Sequence, residues 1–135
     1  MKNYLSVFLG LLCGMLTIML VEYVSHKIYP VPEWLDLKNQ EDLDIYLRTM
    51  PISAMLFVLF GWGFGSFAGG IVTALLMKEK TYKGSMMVGG FLLVSGIANM
   101  SMISHPIWFW VAGTLIFLPC AYLGAWVVLR NKARK

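Results

Sequence analysis

Four long apolar stretches separate the polar residues of this 135-residue chain. They cover residues 4–24, 51–77, 84–104 and 107–129, and each reaches the roughly 20 residues that a helix needs to cross the hydrocarbon core of a bilayer. Because the backbone finds no water to bond within lipid, each stretch is predicted to be a helix. The expected fold class is therefore all-α, a bundle of four transmembrane helices that forms a single domain over residues 1–135.

The longest polar segment, residues 25–50, is predicted to be an outer loop that carries a short extracytoplasmic amphipathic helix. Asn39 is a suitable N-cap for this helix, and the acidic Glu41 and Asp42 favour its positive N-terminus. The apolar residues that share one face are Leu43, Tyr46, Leu47 and Met50. This helix is expected to lie on the membrane surface or over the mouth of the bundle.

Glycine recurs every fourth residue in the second apolar stretch, at Gly61, Gly65 and Gly69. Gly70 lies on a second small-residue strip of the same helix. Small residues allow helix backbones to approach closely in lipid, so these strips predict contacts with two neighbouring helices. The remaining aromatic face is left for lipid or for another subunit. The glycines predicted to pack helices, in all the stretches, are Gly10, Gly14, Gly61, Gly65, Gly69, Gly70, Gly89 and Gly96.

Composition supports a membrane protein, with 59% hydrophobic and only 13% charged residues, against about 25% charged residues in soluble domains. Eight of the 11 lysine and arginine residues fall on one side if all four stretches span. By the positive-inside rule, both termini are then cytoplasmic. The basic residues flank apolar stretches and form no groove-binding surface, so no nucleic-acid partner is expected despite the net charge of +4.

Polar residues near the outer ends of the first and third stretches are the candidate functional residues. Glu22 and His26 share one helix face, where they could relay protons, bind a metal, or simply reach the lipid headgroups. Asn99 is expected to face inward, either as a hydrogen-bonding contact between helices or as a ligand contact. With His105, these residues predict a polar pocket if the first and third helices meet.

Catalytic signatures are not found in the sequence, which has no zinc-protease motif and no phosphate-binding loop. Two candidate ligands, Glu22 and His26, are too few for a structural zinc site. Cys13 and Cys120 have no loop partner and are interpreted as small buried residues. We therefore expect a protein that is not an enzyme, with no cofactor and no metal.

Short motifs spread over nearly the whole chain resemble small, functionally uncharacterised four-helix bacterial membrane proteins. They are Glu22-x-x-x-His26, Tyr29-Pro-Val-Pro32, residues 59–70, His105-Pro-Ile-Trp108 and residues 117–124. The resemblance implies the four-helix fold and a location in the bacterial inner membrane. It implies no activity.

Two functions are compatible with these patterns. The density of small residues favours a non-catalytic module of the lipid bilayer that self-associates as a homo-oligomer or serves as an accessory subunit of a larger membrane complex. The alternative is a small proton- or ion-linked transporter or channel that uses the pocket of Glu22, His26, Asn99 and His105.

Overall fold

The computed structural model describes residues 2–134, which form five α-helices and no strands, so the all-α prediction is confirmed. The helices are α1 (Lys2–Ile28), α2 (Gln40–Thr49), α3 (Ile52–Leu76), α4 (Lys83–Met102) and α5 (Ile107–Ala133). Within this range, α1, α3, α4 and α5 are long and apolar enough to cross a membrane. The chain is a small multi-pass integral membrane protein with a helix bundle.

Two of the membrane helices are longer than their apolar stretches predicted. α1 was expected to end at residue 24 but continues to Ile28, and the Tyr29 N–H still donates to the Ser25 carbonyl at 2.8 Å. Pro30 then ends the helix, because a proline disfavours helical backbone in the residue before it. α5 continues to Ala133 instead of residue 129. Polar residues can extend a helix into water, so hydropathy alone places these ends too early.

α3 is the central helix of the bundle. It contacts α1, α4 and α5, whereas α1 and α5 do not contact each other within the described residues. α4 fills the remaining side, where it contacts α1 and α5 as well as α3. The positions of the other membrane helices are therefore set mainly by the surface of α3.

α1 and α3 pack through two reciprocal pairs of glycines. A β-carbon at Gly65 would lie 2.7 Å from the carbonyl oxygen of Gly14, and one at Gly14 would lie 2.9 Å from that of Gly65. Gly10 and Gly69 repeat this arrangement about one helical turn away. A β-carbon at either glycine would lie 2.8 Å from the carbonyl oxygen of the other. Because real β-carbons do not approach carbonyl oxygens so closely, the crossing exists only with glycine on both helices.

α5 packs on the second small-residue strip of α3. Gly70 lies directly against the carbonyl group of Ala121. The Ser66 hydroxyl is buried and donates to the Phe117 carbonyl at 2.6 Å. From α4, the Ser85 hydroxyl donates to the Gly70 carbonyl at 2.8 Å. Buried hydroxyls therefore add hydrogen bonds to the close packing of three helices.

The remaining predicted packing glycines also lie in contacts inside the bundle. A β-carbon at Gly89 would lie 2.8 Å from that of Ala121, and one at Gly96 would lie 2.6 Å from the Phe117 ring. At Gly61 the nearest neighbour is Val21, at 3.0 Å. The glycine density that suggested self-association is thus accounted for by contacts within the chain.

An aromatic cluster fills the bundle beside these glycines. The Trp62 ring stacks on Phe117 with centroids 5.3 Å apart, and it meets Phe109 edge-on at 5.4 Å. On the outside of α3, Phe60 and Phe64 stack at 5.7 Å and remain 61% and 48% exposed. α3 therefore has the predicted aromatic face outside the bundle.

The amphipathic helix predicted in the long loop is confirmed as α2. The Asn39 side chain accepts a hydrogen bond from the Glu41 N–H at 3.2 Å, as expected of an N-cap. Tyr46 and Leu47 are buried in a small cluster with Leu35, against which Ile103 packs. Through Ile103, which follows α4, the loop is tied to one end of the bundle.

Lys132 at the opposite end has a structural role that the sequence did not indicate. Its ammonium donates to the carbonyl oxygens of Ala74 at 2.8 Å and Leu75 at 3.3 Å. These carbonyls lie in the last turn of α3, where a cation also interacts favourably with the helix dipole. The end of α5 therefore caps the central helix.

Two adjacent glycines on α4 provide a direct test of the packing. Gly89→Ala would place a methyl group against Ala121 and should destabilise the protein by about 1–3 kcal/mol, as overpacking does. Gly90 meets no atom within 4 Å at the β-carbon position, so Gly90→Ala should be neutral or stabilising. The measurement is the free energy of unfolding of both variants in detergent micelles. Equal effects at the two positions would contradict the packing described here.

Candidate functional site

A cavity of about 230 Å³ lies at the end of the bundle to which α2 is tied, and we name it the α2 cavity. All five helices contribute to its walls. Most wall residues are apolar: Leu37, Leu43, Leu47, Met50, Ala54, Met55, Val58, Ile103 and Phe109. The site is thus an apolar chamber in which a few polar groups stand out.

The four candidate polar residues all line this cavity. Glu22 and His26 come from α1, Asn99 from α4, and His105 from the turn that precedes α5. Their convergence, which the sequence left open, results from the contact between α1 and α4. The structure therefore brings together residues that lie far apart in sequence.

Glu22 and His26 lie one helical turn apart on α1 and point toward the same cavity. Glu22 is half-buried, whereas His26 is exposed. Ser25, between them in sequence, is buried and also lines the cavity. This face of α1 thus presents a carboxylate at depth and an imidazole nearer the surface.

His105 is held in a defined orientation. Its Nδ1 lies 2.8 Å from the Ile103 carbonyl oxygen, and its ring stacks on Phe109 with centroids 4.6 Å apart. Because a carbonyl oxygen can only accept, Nδ1 is the nitrogen that carries the hydrogen. The neutral ring therefore offers the lone pair of Nε2 as an acceptor.

Asn99 is less buried than the sequence predicted. It was expected to face inward, either as a hydrogen-bonding contact between helices or as a ligand contact. Its side chain is instead exposed at the boundary between α1 and α4, where it lines the α2 cavity. The buried face of α4 is formed by Gly89, Leu92, Gly96 and Met100, and Asn99 lies at the edge of that face. Its amide is therefore available to a molecule in the cavity.

A second cavity, of about 190 Å³, lies between α1 and α4, and we name it the seam cavity. Its floor is formed by Trp62, Phe117 and Leu92, and its rim includes Met15, Met19 and Ser95. Glu22 and Asn99 line both cavities. They therefore stand at the junction between the α2 cavity and the seam cavity.

Two tyrosines of the α2 cavity were not identified as site residues from the sequence. Tyr29 follows α1, and Tyr46 lies on the buried face of α2. Burial raises the pKa of the Tyr46 phenol above its ordinary value, so this side chain keeps its hydroxyl hydrogen at neutral pH. In the sequence Tyr46 looked like an ordinary member of an apolar helix face, and that pattern carries no signal of a cavity.

The polar side chains of the cavity are hydrogen-bonding groups, some of them ionisable. Within residues 2–134, no group of three or more histidine, cysteine, aspartate or glutamate residues is placed to hold a metal ion. Cys13 and Cys120, expected to be buried, are each partly exposed. The cavity therefore offers a carboxylate, two imidazoles, an amide, two phenols and the Ser25 hydroxyl among apolar side chains.

Comparisons of the chain with protein-family models, with curated proteins and with solved structures give no match. The resemblance to four-helix bacterial membrane proteins stays a prediction. The role of the cavities has to be inferred from their own side chains and geometry.

Access of water to the α2 cavity can be tested with cysteine variants in which Cys13 and Cys120 are replaced by alanine. Asn99→Cys should react with a membrane-impermeant maleimide added outside intact cells, because the thiolate forms only where water reaches it. Ala98→Cys is the control, since Ala98 is exposed on the same helix but lines neither cavity. Equal labelling of the two variants would contradict a water-filled cavity at Asn99. If Asn99→Cys is labelled only after the cells are broken open, the cavity faces the cytoplasm and the predicted orientation is wrong.

Proposed function

We propose that this membrane protein is a non-catalytic, proton- or cation-linked transporter whose binding site is the α2 cavity. The observation that supports the proposal is that Glu22, His26, Asn99 and His105 share one cavity. Ionisable side chains are expensive inside membrane helices, and where they occur they usually mark a pathway for ions or substrates. A purely structural role would not require all four to face the same space.

The order of the side chains along α1 suggests how a cation or proton would move. His26 is exposed near the entrance, where its imidazole could pass a proton between water and the cavity. Glu22 lies one turn deeper, at the junction of the two cavities, where its carboxylate can attract a cation. The pair therefore forms a short relay from the surface to the seam between α1 and α4.

The pathway is closed beyond the seam cavity. Val7, Val88 and Leu92 are buried together in the main core, next to the tight glycine pairs of α1 and α3. These residues form an apolar barrier between the seam cavity and the end of the bundle opposite α2. Transport requires the seam between α1 and α4 to open at this apolar barrier.

The proposed orientation places the α2 end outside the cell and both termini in the cytoplasm of a bacterium. Its support is the positive-inside rule together with the position of the basic residues. Lys78, Lys80, Lys83 and Lys132 all lie at the end of the bundle opposite α2. The α2 cavity would then take up its proton or cation from the periplasmic side.

Self-association, or service as an accessory subunit, is the second candidate function. It is favoured by the aromatic face of α3, where stacked Phe60 and Phe64 stay exposed outside the bundle. Aromatic rings are common in the centres of protein interfaces. The glycine strips no longer favour this candidate over the first, because they are occupied inside the bundle.

The transport proposal is tested by proton flux in liposomes that contain the purified protein and a pH-sensitive dye. Glu22→Gln should slow the dissipation of an imposed pH gradient by about tenfold or more, as loss of one charge-assisted interaction would. Glu33→Gln is the matched control, because Glu33 is exposed in the loop between α1 and α2 and lines neither cavity. Size-exclusion chromatography checks that both variants stay folded. Equal rates for wild type and both variants would contradict the proposal.

The second candidate is tested by crosslinking in native membranes with a photoreactive residue at Phe60. Crosslinks to a second copy or to another membrane protein would support an interface on α3. The control is the same residue at Leu115, which is exposed on α5. If both positions yield only lipid adducts and monomers, the aromatic face is a lipid contact.

A further inference from the structure

The α2 cavity and the seam cavity share two wall residues, Glu22 and Asn99, and the two cavities together are named the bent site. A molecule that occupied both cavities would pass beside these two side chains. The α2 cavity is the α2 arm of this site and is covered by the outer loop and α2. The seam cavity is its seam arm and lies between the membrane-spanning helices α1 and α4. An occupant of the whole site would therefore meet two distinct environments.

The seam arm faces the side of the bundle, where lipid tails lie. Met15 and Met19 on its rim are 49% and 62% exposed, and Ser95 opposite them is also exposed. The floor is the buried ring of Trp62 with Leu92. Flexible methionine side chains adapt to different apolar partners. This arm suits a hydrocarbon chain that enters sideways from the membrane.

The junction and the α2 arm offer hydrogen-bond acceptors. The Glu22 carboxylate only accepts when ionised, and the Asn99 amide has a carbonyl oxygen. His105 presents Nε2 as an acceptor, since its Nδ1–H is already bonded to Ile103. His26, exposed at the entrance, is the remaining imidazole that lines this arm. A primary ammonium group has three donors and a positive charge, so it complements this set.

The aromatic side chains of the α2 arm support the same head group. Tyr29 and Tyr46 line it together with the Glu22 carboxylate, and aromatic faces attract cations. Its volume of about 230 Å³ is below the roughly 300–1,000 Å³ of sites for drug-sized ligands. The head group is therefore small.

From these features we propose that the bent site binds a single-chain amphiphile with an amine head, with the head at Glu22 in the α2 arm and the chain in the seam arm. The proposal rests on the transport function above, for which it names the cargo. The amine would reach Glu22 from the bilayer between α1 and α4, and the proton or cation of the transport cycle would arrive through the α2 cavity.

The binding test uses the fluorescence of Trp62, which lines the floor of the seam arm. The probe is dodecylamine with bromine atoms in the middle of its chain, added to the protein in nanodiscs, because bromine quenches tryptophan on contact. The Trp62 signal is the difference between the wild type and a Trp62→Phe variant. Quenching should be saturable and should be reversed by unbrominated dodecylamine.

Matched probes and variants identify the head group and the route. Brominated dodecanol and brominated dodecanoate should bind at least about tenfold more weakly, because neither has an ammonium for Glu22. Glu22→Gln should weaken amine binding to a similar extent, whereas Glu33→Gln should leave it unchanged. Ser95→Leu should block the chain at the rim, while Ala98→Leu, which lies outside both cavities, should not. Quenching that is equal for all three head groups, or that never saturates, would overturn the proposal, because the seam arm would then hold ordinary lipid.

Failure of this inference differs from failure of the proposed function. Proton flux that depends on Glu22, with no specific binding of the amine, would contradict the amine as cargo but not the transport function. Saturable amine binding that depends on Glu22, with no flux of protons or amine, would contradict the transport function but not the amine-binding site.

Discussion

The close approach of two backbones, where glycines of α1 meet glycines of α3, is the constraint on which the rest of the bundle depends. In lipid there is no hydrophobic force between helices, so association relies on packing and hydrogen bonds. Gly14 and Gly65 place each other's carbonyl oxygens where β-carbons would otherwise lie. This contact fixes both the distance and the crossing of the two helices. Two turns further along α1, Glu22 is thereby carried to the end of the bundle near Met55.

The other helices complete the bundle by the same means and leave one boundary less filled. α5 fits against α3 through Gly70 and the buried hydrogen bond from Ser66 to the Phe117 carbonyl. α4 packs its small residues on α5 and α3, with Ser85 bonded to the central helix. Between α4 and α1, no comparable pair of glycines lies on the α2 side of Leu92. The seam cavity occupies this part of the boundary. Tight packing on one side of α4 and a gap on the other therefore place the candidate site.

The candidate site places polar side chains among apolar ones, which does not stabilise the bundle. Such departures from stable packing are common at functional sites. Glu22 is half-buried in a largely apolar chamber, and Asn99 is exposed on the side of a membrane helix. Each side chain would be more stable in water. The two nevertheless stand together at the junction of the cavities. The transport proposal and the amine-binding proposal therefore both depend on Glu22 and Asn99.

The helices, the N-cap Asn39 and the small-residue strips that include Gly65 and Gly70 could all be predicted from the amino-acid pattern. This was possible because lipid forces the backbone into helices and because the spacing of residues on a helix decides which of them share a face. The packed bundle was needed to show that Asn99 is exposed between α1 and α4, that Lys132 caps α3, and that the candidate polar residues share a cavity. These outcomes depend on the rotation and distance of one helix relative to another. Those quantities are set by contacts between residues far apart in the chain, and the periodicity of a single helix does not contain them.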